Sequence, residues 1–508
     1  MSRALIAGTP LVLAIDASTT ACKAVAFDSG GTPVAIGRAG IRKRSPAPGW
    51  QEQDARDWWT ATCSAVGAVT RQVPASAIRA LCIAHQRETF VCLDQDWSPI
   101  RPAILWLDTR AVAEVRRLGT PSVHRLSGKP PSTIPSFYKL AWLAGHEPEV
   151  IAATSTIADV HAYLVGKLTG SRTTSWASAD PMGLVDMQRF EYGPELVAAC
   201  GLRMDQLPAL AAPGTIIGEV SPEASVATSL LPGLPVVAGG GDGQLAGLGA
   251  AICRPNLAYL NLGTGVTLGT DSDRYLASGA FRSLSSPVAG RWTLEALLAG
   301  GTLSVAWFCT AVAQDQEVVA EQRLEGLAAG IPAGADGLMF LPYLTSGGTL
   351  DRGAAARGAW VGLREHHGRG HMYRAILEGI GFEQRLALSR IEAETGQRVE
   401  RLRSMGGGSR SRLWLQMLAN ILARPVEATD FAETTALGAG ILAASAIELD
   451  GEKDVVATAE RMTGRWLAVE PLGSATEHYE RLAAIYERIY PALAPVFADL
   501  AELSAVAD

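Results

Sequence analysis

Short apolar runs separated by small polar turns recur along the chain, and they alternate with longer segments whose apolar residues repeat at helical spacing. The first two runs, residues 11–15 and 23–27, are apolar and partly β-branched, which is typical of strands. The turn between them holds a carboxylate, Asp16, and three consecutive hydroxyls at residues 18–20. A second pair of apolar strands flanks the Gly-Thr-Gly turn at residues 263–265. This repetition predicts a duplicated fold with one such turn in each half.

Further strands and helices follow the same alternation. The pattern predicts strands at residues 80–84, 90–93, 234–241 and 340–343, and helices at 57–71 and 372–395. It also predicts a loop at residues 345–348. The first helix begins near Asp54 and ends before Pro74. Mixed strands and helices in this order predict an α/β architecture with both sheet faces covered. Because 508 residues are too many for one core, we expect two domains, residues 1–250 and 251–508.

Composition narrows the class of protein. Hydrophobic residues make up 48% and charged residues 19% of the chain, which is typical of an ordered globular protein. A net charge of −7 argues against nucleic acid or an anionic membrane as the main partner. No run approaches the roughly 20 apolar residues of a spanning helix, and residues 1–10 are too short and too weakly basic for a signal peptide. The seven scattered cysteines indicate neither disulfides nor zinc, so we expect a cytoplasmic protein.

Three polar positions carry candidate chemistry. Backbone N–H groups and small hydroxyls on a tight turn can bind phosphate oxygens, and a carboxylate such as Asp16 at a strand end can bind Mg²⁺. The alternatives are a turn aspartate with a local hydrogen bond and, for residues 263–265, a plain hairpin. Asp242 follows three glycines, which would leave its carboxylate free of neighbouring side chains and open to a substrate. It could act as a general base, or it could cap a helix that begins near Gln244.

Several segments together resemble the FGGY family of carbohydrate kinases. In chain order they are residues 16–20, 48–54 with Trp58 and Trp59, 239–242, 263–265, 340–343, 405–411 and 433–444. The resemblance extends over residues 10–445, although Ser18 stands where a glycine is common in the family. It implies an α/β fold of two ribonuclease-H-like (actin-like ATPase) domains, with a nucleotide and a sugar in the cleft between them.

The resemblance also implies roles for individual residues. Asp242 would take the proton of the acceptor hydroxyl, and Asp16 would hold Mg²⁺ through water. The residues expected to contact ATP are Ser18, Thr19, Thr20, Gly263 and Thr264 at the phosphates, and Gly300, Gly301, Gly406, Gly407 and Ser411 at the nucleoside, with Ser411 donating to adenine. Lys23 is open to two interpretations, because its charge could face phosphate or solvent.

The acceptor pocket is expected to contain Gln86, Arg87, Glu88 and Trp106 together with Asp242. A guanidinium beside a carboxylate can donate to and accept from adjacent sugar hydroxyls, although an ordinary surface ion pair is the alternative. Gln-Arg-Glu at this place is similar to glycerol kinases, whereas residues 261–265, 340–343 and 168–170 are more similar to pentulose kinases. The resemblance therefore implies a small sugar or polyol as the substrate, and it leaves open the choice between a pentulose such as xylulose and a polyol such as glycerol.

Two other interpretations stay open from the sequence. The chain could be an actin-like ATP-binding protein without sugar kinase activity, although Asp242 and the polar loop at residues 86–88 argue against this. His366, His367 and His371 are clustered, but glycines interrupt any shared helix face, so a family histidine without a metal role is favoured. The oligomeric state is undetermined, with a homodimer as one option.

Overall fold

The computed structural model describes residues 8–313, 320–344, 352, 355–429 and 431–505. The predicted loop at residues 345–348 lies outside this part of the chain. Within it, no helix combines the length and the apolar character needed to cross a membrane.

Fourteen strands are described in the first half of the chain. They are β1 (Leu11–Ala17), β2 (Ala21–Phe27), β3 (Pro33–Gly40), β4 (Glu52–Gln53), β5 (Ile78–His85), β6 (Phe90–Leu93), β7 (Ala103–Ile104), β8 (Thr156–Asp159), β9 (Thr173–Ser175), β10 (Val185–Asp186), β11 (Glu191–Tyr192), β12 (Ala209–Ala211), β13 (Ile216–Glu219) and β14 (Pro235–Gly241). Six of them form the main sheet in the order β13-β14-β5-β1-β2-β3. β1, β2 and β3 are antiparallel neighbours, β5 and β14 continue parallel to β1, and β13 closes the edge antiparallel.

Nine strands are described in the second half. They are β15 (Leu257–Leu262), β16 (Val266–Ser272), β17 (Arg282–Ser285), β18 (Trp292–Leu298), β19 (Met339–Leu341), β20 (Ala359–Val361), β21 (Arg401–Met405), β22 (Val426–Ala428) and β23 (Leu467–Val469). Seven form the second main sheet, in the order β17-β18-β16-β15-β21-β22-β23. β15, β16 and β18 repeat the antiparallel arrangement of β1, β2 and β3, and β21 and β22 repeat the two parallel strands. The predicted duplication is therefore confirmed, with β17 as an additional edge strand.

Helices cover the faces of both sheets. Those of the first half are α1 (Ala55–Thr70), α2 (Val112–Leu118), α3 (Pro121–Ser127), α4 (Ser136–His146), α5 (Pro148–Ala153), α6 (Val160–Thr169), α7 (Trp176–Ala179), α8 (Pro194–Ala199), α9 (Pro222–Thr228) and α10 (Asp242–Gly249). Those of the second half are α11 (Gly301–Trp307), α12 (Ala320–Ala329), α13 (Arg369–Thr395), α14 (Arg412–Leu422), α15 (Thr434–Ala446), α16 (Val455–Met462) and α17 (Gly473–Ala505).

Local signals explain most of these boundaries. The Asp54 side chain accepts a hydrogen bond from the backbone N–H of Arg56 and begins α1, as the sequence predicts. Six apolar residues of α1 pack in the core against the first sheet, and most apolar residues of α13 are likewise buried. Short turns join β1 to β2 and β15 to β16, so the two polar turns occupy equivalent places in the two sheets.

One helix from the second half of the chain packs on the first sheet. α15 contributes Leu437, Ile441 and Leu442 to a core that also contains Val12 and Val25. The close packing of α15 on α10 requires glycine, since a Cβ on Gly438 would lie 1.9 Å from the Leu245 carbonyl oxygen. The contact between α15 and α10 therefore joins the two halves of the chain at the helix that begins with Asp242.

Candidate functional site

Asp242 stands at the junction of β14 and α10. The helix begins at Asp242 itself, two residues earlier than the sequence predicts, with Gly241 as the N-cap residue. The Asp242 side chain remains 41% exposed. Its Oδ1 accepts from the backbone N–H of Gly243 at 2.8 Å and pairs with Nε of Arg87 at 3.1 Å. Both of these contacts involve Oδ1, and the exposed part of the carboxylate remains open to a ligand.

The glycines around Asp242 make room for an arginine. A Cβ on Gly241 would lie 2.5 Å from Cγ and Cδ of Arg87, and a Cβ on Gly243 would lie 2.7 Å from its Nη2. The expectation that these glycines leave the carboxylate free of neighbouring side chains is therefore wrong. They allow the Arg87 side chain to lie against the start of α10, because any larger residue would occupy its place.

Arg87 and Glu88 are buried, so the surface ion pair considered from the sequence is wrong. Their exposures are 9% and 5%. Arg87 Nη1 lies 3.2 Å from Glu295 Oε1, and Glu88 Oε1 lies 2.8 Å from Arg282 Nη1. Burial raises the pKa of Glu88, while the charges of Arg282 and Arg87 act in the opposite direction.

The predicted acceptor and phosphate residues form one hydrogen-bond network. Thr19 donates to Gln86 Oε1 at 3.0 Å, and the indole N–H of Trp106 donates to Thr19 Oγ1 at 3.0 Å. Gln53, which the sequence did not single out, donates to the Thr19 carbonyl oxygen at 2.6 Å and accepts from Gln86. The turn after β1 is thus positioned by the same side chains that line the predicted acceptor pocket.

Asp16 has the properties of a cation ligand. It is partly buried, and its Oδ1 is inaccessible to solvent without a hydrogen-bond partner among the described residues. Burial, together with the nearby charge of Asp242, raises the pKa of Asp16 to about 7, and Lys23 opposes this shift. A buried carboxylate oxygen that lacks a donor suits a hard cation such as Mg²⁺. Lys23 itself pairs with Glu433 at 2.8 Å, so its ammonium faces the cleft between the sheets.

The hydroxyls after Asp16 differ in their surroundings. Ser18 Oγ donates to the Ala21 carbonyl oxygen at 2.8 Å and closes the turn. Thr19 is partly buried in the network with Gln86, whereas Thr20 is exposed. Ser18 therefore has a local structural role, and its contact with phosphate stays a prediction.

A cavity of about 610 Å³ lies beside the second polar turn. The described residues that line it include Gly263, Thr264, Thr302, Glu321, Glu325, Tyr373, Gly407, Gly408, Ser411 and Trp414. Ser411 caps α14, since its Oγ accepts from the backbone N–H of Trp414 and donates to Glu325 Oε1 at 2.6 Å. The predicted donation from Ser411 to adenine stays a prediction, and Glu325 is an additional polar group on the cavity wall.

Other predicted glycines have a packing reason as well. Gly406 has φ +86°, and a Cβ there would lie 2.7 Å from Asn261 Oδ1, so this turn requires glycine. Gly406 and Gly407 border a second cavity of about 750 Å³, which Lys23 and Glu433 also line. A Cβ on Gly300 would lie 2.6 Å from the Pro342 carbonyl oxygen, and one on Gly301 would lie 2.7 Å from the Val266 nitrogen. Contacts of Gly300 and Gly301 with nucleotide stay predictions.

Two of the three clustered histidines form hydrogen bonds with the backbone, and one of these two also pairs with an aspartate. His367 Nδ1 accepts from the N–H of Arg364, and His371 Nδ1 accepts from the N–H of Gly368 at the start of α13. His371 Nε2 lies 3.1 Å from Asp336 Oδ2. In the described parts of the chain, no group of three or more His, Cys, Asp and Glu side chains could hold a metal ion.

Sequence reasoning missed the buried charges contributed by the second half of the chain. Arg282 and Glu295 contact the predicted pocket, and Tyr259 donates its hydroxyl to Glu295. One signal was available, because Glu295 is a lone carboxylate in the otherwise mostly apolar strand β18. A charge in such a strand requires a buried partner, although the sequence does not identify which one.

Comparison with known proteins gives one consistent result. Residues 11–249 match the N-terminal domain of the FGGY family of carbohydrate kinases, and residues 258–447 match its C-terminal domain. The xylulose kinase of Escherichia coli is 29% identical, with 96% of this chain and 100% of the relative covered. The autoinducer-2 kinase of Yersinia enterocolitica is 29% identical over 86% of each chain. The crystal structure of xylulose kinase from Rhodospirillum rubrum has a TM-score of 0.88 and 28% identity, over 96% of this chain and 100% of that one.

Proposed function

The chain belongs to the FGGY family of carbohydrate kinases, and we propose that its acceptor is a pentulose such as xylulose. It is an ATP-dependent kinase that transfers the γ-phosphoryl group to a hydroxyl of a small sugar or polyol. Because the family consists of carbohydrate kinases, the alternative of an actin-like ATP-binding protein without kinase activity is rejected. The full-length similarity to relatives named xylulose kinase supports the pentulose.

The observation that carries the mechanism is the partly exposed carboxylate of Asp242, whose Oδ1 contacts Arg87 and the backbone N–H of Gly243. Asp242 takes the proton of the acceptor hydroxyl, and the resulting oxygen attacks the γ-phosphorus. The bond from that phosphorus to the bridging oxygen breaks, and ADP leaves. Arg87 fixes the carboxylate through Oδ1 and orients it toward the acceptor.

Mg²⁺ fits the turn after β1. The buried Oδ1 of Asp16 would hold the ion directly or through water, and the ion would neutralise charge on the phosphates. Thr19, Thr20, Gly263 and Thr264 would donate to phosphate oxygens from the two polar turns. The adenosine would occupy the 610 Å³ cavity beside Ser411.

A polyol such as glycerol is the second candidate acceptor. The residues at 86–88, Gln-Arg-Glu, resemble the segment found in glycerol kinases, and Glu88 and Arg87 are buried at the cleft. The domain division near residue 250, a homodimer and a cytoplasmic location are further proposals, which limited proteolysis, sedimentation and cell fractionation would test.

Release of ADP with Mg-ATP and a panel of acceptors tests the proposal. The panel contains glycerol, erythritol, both enantiomers of xylulose and of ribulose, and the pentitols. We expect turnover with xylulose, and a fall in kcat of about 10²–10⁴-fold in Asp242→Asn, which is the usual contribution of a general base. Asp54→Asn is the matched control, because Asp54 also stands at the start of a helix, and its carboxylate pairs with the exposed Arg56 instead of with Arg87. Near-normal turnover by Asp242→Asn would overturn its assignment, and a preference for glycerol would overturn the pentulose.

A further inference from the structure

Two buried charges of the second domain face the first domain. Arg282 on β17 and Glu295 on β18 are cross-strand partners, and Arg282 Nε donates to Glu295 Oε1 at 2.8 Å. Their exposures are 6% and 0%. Burying both charges is costly unless their partners satisfy them, so their placement is specific.

Ion pairs connect these two residues to the predicted acceptor pocket of the first domain. Glu88, Arg282, Glu295, Arg87 and Asp242 form a row in which negative and positive groups alternate. Four of the five are buried, and Asp242 is the exposed end. Although burial would raise the pKa of Glu295, Arg282 and Arg87 lower it to about 2, so this carboxylate stays charged.

The strand that carries Arg282 is held by the first domain. The backbone N–H of Ser283 donates to the Gly128 carbonyl oxygen at 2.9 Å, and Lys129 Nζ donates to the Ser283 carbonyl oxygen at 2.7 Å. Gln244 Nε2, on α10, donates to the Ser285 carbonyl oxygen at 3.2 Å. β17 is thereby bonded to residues 128–129 of the first domain and to α10, the helix that begins at Asp242.

The role of Glu295 follows from what Arg87 would do without it. Arg87 now divides its guanidinium between Asp242 and Glu295, and its ion pair with Asp242 joins Nε to Oδ1 at 3.1 Å. If Glu295 were neutral, Asp242 and Glu88 would be left to balance the positive charge of Arg87. A guanidinium pairs best with a carboxylate through two parallel bonds, which would also engage Oδ2 of Asp242.

We propose that Glu295 and Arg282 are positioning residues of the kinase reaction, which hold Arg87 and Glu88 so that Oδ2 of Asp242 stays available to the acceptor. The acceptor site is thus completed by the second domain. This inference rests on the proposed function only in taking Asp242 as the base, and it holds for whichever acceptor the enzyme uses.

Glu295→Gln tests the inference, because it removes the charge and keeps the size of the side chain. With the best acceptor of the wild-type enzyme, we expect kcat/KM for the acceptor to fall by about 10–100-fold, the scale of a small misplacement of catalytic groups. The KM for Mg-ATP should stay within twofold. Glu295→Asp, which restores the charge, should recover part of the loss. Tyr259→Phe removes the hydroxyl that donates to Glu295, and it serves as a milder variant should Glu295→Gln not fold.

Glu378→Gln is the matched control. Glu378 is also buried in the second domain, and it pairs with Arg374 at 2.7 Å and accepts from the Tyr479 hydroxyl at 2.7 Å. The Glu378→Gln variant should lower the melting temperature about as much as Glu295→Gln does, and it should leave all kinetic constants unchanged. If Glu295→Gln behaves like this control, or if Tyr259→Phe does so where Glu295→Gln does not fold, the inference is overturned. Inactivity of the wild-type enzyme on every sugar would instead count against the proposed function.

Discussion

Gly243→Ala gives a sharp test of how the cleft is built. A Cβ at this position would lie 2.7 Å from Nη2, 2.9 Å from Cζ and 3.0 Å from Nη1 of Arg87. Ordinary contacts of a Cβ begin at 3.4 Å, so the guanidinium must move by about 0.7 Å. Arg87 cannot move freely, because it pairs with Asp242 at 3.1 Å and with Glu295 at 3.2 Å.

The net effect is a balance between two contributions. Alanine is favoured over glycine in a helix by up to about 1 kcal/mol. Breaking a buried ion pair costs about 3–5 kcal/mol, and stretching it costs a part of that. We therefore expect the free energy of unfolding to fall by about 1–2 kcal/mol. Because Arg87 orients Asp242, kcat/KM for the acceptor should fall by roughly 10–100-fold.

Urea unfolding and steady-state kinetics on the same preparation measure both quantities. Gly145→Ala is the control, since a Cβ on this exposed glycine of α4 meets nothing within 4 Å. The control should gain about 0.5–1 kcal/mol of stability without a kinetic change. If Gly243→Ala is stabilised like the control and keeps its kinetics, Arg87 does not depend on this glycine and the reasoning is refuted.

Two other predictions concern buried charges. Burial lowers the pKa of Lys139 from 10.5 to about 7, and its ammonium donates to the carbonyl oxygens of Thr133 and Ile134. Since the unfolded chain binds this proton up to about pH 10.5 and the folded chain only below about 7, stability from this group is lost as pH falls between these values. Lys139→Met removes this proton, so its free energy of unfolding should rise relative to that of the wild type by roughly 1.4 kcal/mol for each pH unit from pH 10 down to pH 7. Urea unfolding of both proteins measures this difference, and a difference that does not change with pH would contradict the prediction. Asp16→Asn should raise the Mg²⁺ concentration for half-maximal activity at least about tenfold, because a neutral amide binds the ion more weakly, while an unchanged Mg²⁺ requirement would exclude Asp16 as the ligand.

Much of the fold was predictable because its signals are local. The strands Leu11–Ala17 and Ala21–Phe27 follow from two apolar runs around a polar turn, and the helix Ala55–Thr70 follows from its spacing and its N-cap. The strand Phe90–Leu93 has the predicted bounds. Each of these signals lies within about 15 residues of chain, so no knowledge of distant contacts is needed.

The site was predictable only in part. The sequence singled out Asp242 and Arg87, and the structure brings them together at 3.1 Å. It also suggested the wrong reason for the glycines around Asp242, because a run of glycines does not reveal which side chain will occupy the space. The missing information was the path of the Arg87 side chain across the start of α10.

By itself, the sequence determined the two repeated halves, their polar turns and the residue types that carry the chemistry, since period, turn residues and short motifs are local properties. Only the tertiary structure decided the partners of those residues. Arg282 lies 194 residues from Glu88, and Glu433 lies 410 residues from Lys23. Charged residues occur throughout the chain, so their pairing depends on the order of the strands and on the packing of α15 against the first sheet. Burial then decides how strongly each pair matters, because a charge removed from water must find its partner inside the fold.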